Sequence, residues 1–202
     1  MSTQKAQRIL SLLAFVFTSV VLRAQVVFIP DTNLRAWFNT TAPGCVDASG
    51  WFDPTHPMIQ ADTSFAVYIT WPNSDLSGLE ALPNARFLSI VWMEPGPLPL
   101  GYPDSVRTLY LNSADTTALP PMPPLLERLW LTECDQLTSL PTLPTTLHEM
   151  ELRGSQMLSA LPPLPAGLRT LYMEGVGLTS MDPWPAALGS LTIKGGVNTP
   201  SI

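Results

Sequence analysis

One pattern of apolar residues recurs along this chain every 20 or 21 residues, and that period constrains its fold more than any other feature. The clearest copy is Leu126-Glu-Arg-Leu129-Trp-Leu131-Thr-Glu-Cys134-Asp-Gln-Leu137-Thr-Ser-Leu140-Pro141-Thr-Leu143-Pro144. Near copies run from Leu147 to Pro165 and from Leu168 to Pro185, and a partial one begins at Leu188. Central apolar pairs fall at Val67/Ile69, Leu88/Ile90, Leu109/Leu111, Leu129/Leu131, Met150/Leu152, Leu171/Met173 and Leu191/Ile193, with successive steps of 21, 21, 20, 21, 21 and 20 residues. A unit this short cannot bury its own apolar side chains, so its copies must stack into a solenoid in which each coil covers the next.

Within one copy the alternation assigns the faces. Leu129 and Leu131 share one side of an extended segment, while Arg128, Trp130 and Thr132 share the other. Leu126, Leu137, Leu140 and Leu143 return to the interior after each bend, so a coil is expected to bury about six apolar side chains, with neighbouring strands parallel and about 4.8 Å apart. The return path is proline-rich: 119–123, 140–144 and 161–165 read Leu-Pro-Pro-Met-Pro, Leu-Pro-Thr-Leu-Pro and Leu-Pro-Pro-Leu-Pro. Proline removes a donor and holds its neighbours extended, so this side is expected to lack α-helices. The 22 prolines of the chain are therefore read as solenoid turns and not as disorder.

Over residues 64–202 the pattern resembles the leucine-rich repeat family, and its Leu-Pro-x-Leu-Pro tail is similar to the short repeats of secreted bacterial members. The resemblance implies a β-rich solenoid with a parallel β-sheet on the concave face, an extended or polyproline-like convex side, and about seven coils, the last one incomplete. The position after each strand, where the family prefers Asn, holds Pro72, Met93, Ala114, Cys134, Ser155, Val176 and Gly196. The side-chain ladder that satisfies the turn N–H groups is then missing, and those groups must bond to carbonyls or water. The first two coils are expected to be the least regular.

Residues 1–24 read as a signal peptide. Lys5 and Arg8 precede an apolar run from Ile9 to Leu22, followed by Arg23-Ala24-Gln25, with cleavage expected after Ala24. The run is shorter than the roughly 20 residues of a spanning helix, so no membrane span is expected after cleavage. Residues 25–63 do not fit the repeat and are expected to form an N-terminal cap. Its helix begins at Asp31, a side chain able to accept from the first-turn N–H groups, and presents Leu34, Trp37 and Phe38 on one face. The segment Asp47-Ala-Ser49-Gly50-Trp-Phe-Asp53 reads as a connecting loop because it lacks most of the carboxylates of a calcium loop. Cys45 and Cys134 are expected as separate thiols, with Cys134 in the core.

Charge and chemistry exclude several functions. Without Lys5, Arg8 and Arg23 the chain carries seven bases against sixteen acids, net −9, which disfavours nucleic acid and an anionic membrane. His56 and His148 have no recurring partner, no paired metal-ligand spacing exists, and no glycine-rich phosphate loop follows a strand. Glu149 and Glu151 share one face of a strand and read as a solvated acidic patch. We therefore expect no enzyme, no cofactor and no metal.

The outward side of the sheet is the expected ligand face. Its central column reads Tyr68, Ser89, Tyr110, Trp130, Glu151, Tyr172 and Thr192. Exposed aromatics beside arginines have the composition of an interface anchor, although stacking of Tyr110 on Trp130 would equally stabilise the sheet. Tyr110, Trp130, Glu151, Tyr172, Arg128 and Arg153 are the candidate ligand-binding residues. The expected function is a secreted or cell-surface binding or adhesion module for a protein or glycan. Its alternatives are a structural spacer of a larger surface protein and an exported effector that recruits a host protein. An open last coil is expected to fray or to self-associate through its edge strand.

Overall fold

The computed structural model describes residues 26–71, 74–93, 98–179 and 184–195. The expected signal peptide, the turn positions Pro72 and Gly196, and the chain end at Ile202 lie outside these residues. Among the described residues no helix is long and apolar enough to cross a membrane.

The described residues open with a small antiparallel pair, β1 (Val27–Phe28) and β2 (Trp51–Phe52), which flanks the helix α1 (Thr32–Thr41). Asp31 starts this helix because its Oδ1 accepts from the N–H groups of Asn33 and Leu34, both at 2.8 Å. Leu34 and Phe38 are buried on the inner face, and the Phe38 ring packs 4.5 Å from that of Phe52. Trp37, half-buried, donates from Nε1 to the Ala66 carbonyl at 3.0 Å. The Asp31 carboxylate also holds the first coil, since its Oδ2 accepts from Trp71 Nε1 at 3.2 Å and from the Asp75 N–H at 3.1 Å. A short helix α2 (Pro57–Ala61) with proline in its first turn completes the segment.

Seven parallel strands follow in chain order: β3 (Ser64–Ile69), β4 (Phe87–Trp92), β5 (Thr108–Asn112), β6 (Arg128–Thr132), β7 (Glu149–Arg153), β8 (Thr170–Glu174) and β9 (Ser190–Lys194). Each pairs with the next, so the chain is a β-solenoid with few helices. The expected register holds from β4 to β9: Leu88, Leu109, Leu129, Met150, Leu171 and Leu191 are successive partners.

The first coil departs from expectation. Phe65 and Val67, rather than Val67 and Ile69, lie opposite Leu88 and Ile90, and Ile69 lies opposite Trp92. The first step is thus 23 residues, and Tyr68 falls beside Val91 instead of Ser89. Phe65, Val67 and Ile69 are all interior, so sliding the strand by two residues exchanges one apolar pair for another without turning any side chain outward.

The interior of a coil matches its pattern. In the fourth, Leu126, Leu129, Leu131, Cys134 and Leu137 are fully buried, and Leu140 and Leu143 nearly so. The proline segments 119–123, 140–144 and 161–165 carry no helix, and the last proline of each opens a turn into the next strand. Pro123, Pro144 and Pro165 accept through their carbonyls from the N–H groups of Leu126, Leu147 and Leu168 at 3.0–3.2 Å. A proline serves here because the opening position of a turn contributes only its carbonyl. Turn N–H groups elsewhere are also satisfied by carbonyls: Leu137 donates to Cys134 and Leu158 to Ser155.

Each strand from β5 onward is followed by a residue in the left-handed region, Ser113, Glu133, Gly154, Gly175 and Gly195 in turn, with φ between 49° and 66°. Glycine takes this conformation freely, whereas Ser113 and Glu133 hold it against strain. Cys45 and Cys134 are free and buried. Burial pushes the Cys45 thiol up to about 11 and also raises that of Cys134, so both are held as neutral core groups.

Candidate ligand-binding face

The sheet brings four of the six candidate residues into one line. Tyr110, Trp130, Glu151 and Tyr172 are consecutive register partners across β5 to β8, which spaces them one strand apart on the outward side. Arg128 lies one alternate position before Trp130 and Arg153 one alternate position after Glu151. All six are therefore on one surface, Arg128 exposed and the others half-buried.

The aromatic residues are not held by stacking on each other. Among the described residues the paired rings are Phe28–Trp51, Trp37–Phe38, Trp37–Phe65 and Phe38–Phe52, all near the N-terminal segment. A Tyr110–Trp130 stack, the alternative to an interface anchor, is not in that set. Their polar edges are bound instead. Trp130 Nε1 donates to Glu149 Oε1 at 3.1 Å, and the Tyr110 hydroxyl accepts from Asn112 Nδ2 at 2.9 Å. Tyr172 donates from its hydroxyl to Glu174 Oε2 at 2.6 Å, and its ring lies under the Arg153 guanidinium, 4.4 Å from centroid to Cζ.

Charged side chains link these aromatics into two clusters. Arg128 pairs with Glu149 at 3.4 Å, and Glu149 in turn receives the Trp130 indole N–H. Arg153 is bonded to Glu151 and reaches Glu174 at 3.3 Å, while Lys194 Nζ lies 5.5 Å from the Tyr172 ring centroid. The Glu151 hydrogen bond and nearby carboxylates raise the Arg153 pKa, so its charge is fixed at any ordinary pH. These pairs are exposed and individually weak, yet together they limit the rotamers of Trp130 and Tyr172.

Glu149, Glu174 and Asn112 are outward positions in the sequence pattern but stand outside the candidate ligand-binding set. Their signal was present, because Glu149 is the strand partner of Arg128, and Glu174 of Arg153. The loop containing Asp47 and Asp53 uses its carboxylates locally: Asp47 Oδ1 accepts from the Ser49 and Trp51 N–H groups and Asp53 Oδ1 from Thr55. Hydrogen bonds from Thr55 lower the Asp53 pKa.

The β-solenoid, with coils of 20 or 21 residues after a first step of 23, fits a leucine-rich repeat. No protein-family model matches the chain, and no curated protein matches it in sequence. Among solved structures, YopM from Yersinia enterocolitica WA-314 is similar over 83% of this chain, with 18% identity and a TM-score of 0.35. The match spans 43% of that protein's chain, so the present chain covers less than half of its length.

Proposed function

We propose that this protein is a secreted or cell-surface binding module that presents the outward side of its sheet to a protein ligand. The observation carrying this reading is the line Tyr110, Trp130, Glu151 and Tyr172, whose aromatic members are fixed at their polar edges by Asn112, Glu149 and Glu174. Tyrosine and tryptophan fixed in this way supply large contact areas with little rotamer entropy left to lose, which favours binding. The flanking Arg128 and Arg153, with their glutamates, form a mixed-charge rim that selects a complementary partner.

In this reading the N-terminal segment is a cap. Trp37 bonds to the Ala66 carbonyl of β3, the strand that begins the parallel sheet, and α1 shields its apolar residues from water. Export follows from the basic and apolar character of residues 1–24.

The experiment is affinity capture from extracellular material with wild type, Trp130→Ala and Met157→Ala, the last an exposed residue outside the strands. A partner retained by wild type and Met157→Ala is expected to be lost with Trp130→Ala, with all three melting alike. Equal capture by Trp130→Ala would contradict this use of the face.

A further inference from the structure

At the entry side of the first three strands lies a groove of about 390 Å³, lined by Gln60, Thr63, Asn84, Arg86, Ser105, Arg107 and Leu125. It is built by the repeat. Just before a strand the chain still bonds the preceding coil, with Arg86 N–H on the Thr63 carbonyl and Arg107 N–H on the Arg86 carbonyl, both at 2.8 Å. Consecutive coils therefore place two guanidinium-bearing residues one strand spacing apart on this rim.

The chemistry of the groove is one-sided. Among the described residues the exposed Arg86 side chain makes no ion pair and no hydrogen bond, and no carboxylate lines the groove. Arg107 gives one nitrogen to Glu127, which leaves other N–H groups of its fork. Of the other bases beyond residue 25, Arg35 bonds the Ile29 carbonyl, Arg128 and Arg153 are ion-paired, and Lys194 sits over Tyr172. Arg169 is also unpaired among the described residues but lines no part of this groove.

We propose that this groove binds a small molecule or terminal group bearing a single carboxylate, with Arg86 as its main charge partner and Arg107 as its second. A planar guanidinium matches a carboxylate through two parallel hydrogen bonds. Leu125 supplies an apolar wall for the body of the ligand. The Thr63 hydroxyl and the carbonyl oxygen of Asn84, whose amide nitrogen is taken by Gln60, remain to bond its polar groups, and Ser105, whose hydroxyl donates to the Ala85 carbonyl, can still accept. The net charge of −9 beyond residue 25 opposes each added negative charge, which favours a monoanion over sulfate, phosphate or a polyanion. The cavity is of the size that holds a monosaccharide or an acylated amino acid. This site lies off the aromatic line and does not depend on that line binding anything.

The test is titration of the protein at low ionic strength with D-glucuronate, N-acetyl-L-glutamine and sodium sulfate, followed by calorimetry or amide chemical shifts. We expect saturable binding of at least one carboxylate, weakened at least about tenfold in Arg86→Gln, less in Arg86→Lys, and unchanged in Trp130→Ala. Tighter glucuronate binding would assign a saccharide source and tighter acetylglutamine binding a peptide source. The proposal is overturned by no saturable binding of either carboxylate up to about 20 mM. It is equally overturned if Arg86→Gln binds as wild type does, or if sulfate binds more tightly than both. Should Arg86→Gln lower the melting temperature, the Arg86→Lys variant decides between these outcomes.

Discussion

Asp31 ties two parts of the fold together. One of its oxygens caps α1 and the other binds Trp71 and the backbone of Asp75, so it joins the N-terminal segment to the first coil. Removing a helix cap costs about 1 kcal/mol and losing hydrogen bonds to a charged group adds a comparable amount or more. Asp31→Ala should therefore lower the unfolding free energy by about 2–4 kcal/mol in urea titration, and a loss below about 1 kcal/mol would show that these bonds matter little. Ser155 behaves in the opposite way. It occupies the turn position next to Cys134 in the coil order, is fully buried, and its hydroxyl has no partner among the described residues. A buried unpaired hydroxyl is destabilising by about 1–3 kcal/mol. Ser155→Ala is expected to raise the melting temperature by several degrees, and a lowered value would mean that the hydroxyl is bonded after all.

Among the elements, strand β6 shows how the alternation sorts its residues. Leu131 has no exposed surface, whereas Thr132 beside it is half-buried on the outward side between Asn112 and Arg153. Leu131→Asp places an unpaired carboxylate in the core at a cost of several kcal/mol and should abolish folding of most of the solenoid. Thr132→Asp should be nearly neutral by thermal melting; comparable melts for the two variants would contradict the assignment of faces. This much was legible in the sequence, because period-two alternation and a fixed repeat leave no other interior. The register of β3 was not, since a two-residue slide keeps Phe65, Val67 and Ile69 on the same face. The groove at Arg86 and Arg107 was hidden for another reason. The chain bends before each strand, where Glu127 and Arg128 both donate to the Arg107 carbonyl, so alternation cannot be extended backward to that residue. The left-handed step after each strand announces itself by glycine at 154, 175 and 195, but Ser113 and Glu133 carry no such mark.

The whole molecule is a row of coils that touch mainly their neighbours, so its stability is expected to vary along the row. Leu129 and Leu131 in β6 are fully buried, while Leu191 in β9 is 37% exposed. Amide hydrogens of β9 should therefore exchange much faster than those of β6, and equal protection would argue for a single uniform unit. The binding face crosses β5 to β8, each of which is paired with a strand on both sides, so its side chains stand on a supported part of the sheet. The most direct measurement of the functional account is hydroxyl-radical footprinting of the wild-type protein with and without the partner retained by affinity capture. Labelling of Tyr110, Trp130 and Tyr172 should fall several-fold on binding, while Trp51 and Met157, both exposed and off this line, keep their reactivity. Protection of Trp51 or Met157 with Trp130 unchanged would place the interface elsewhere and contradict the account.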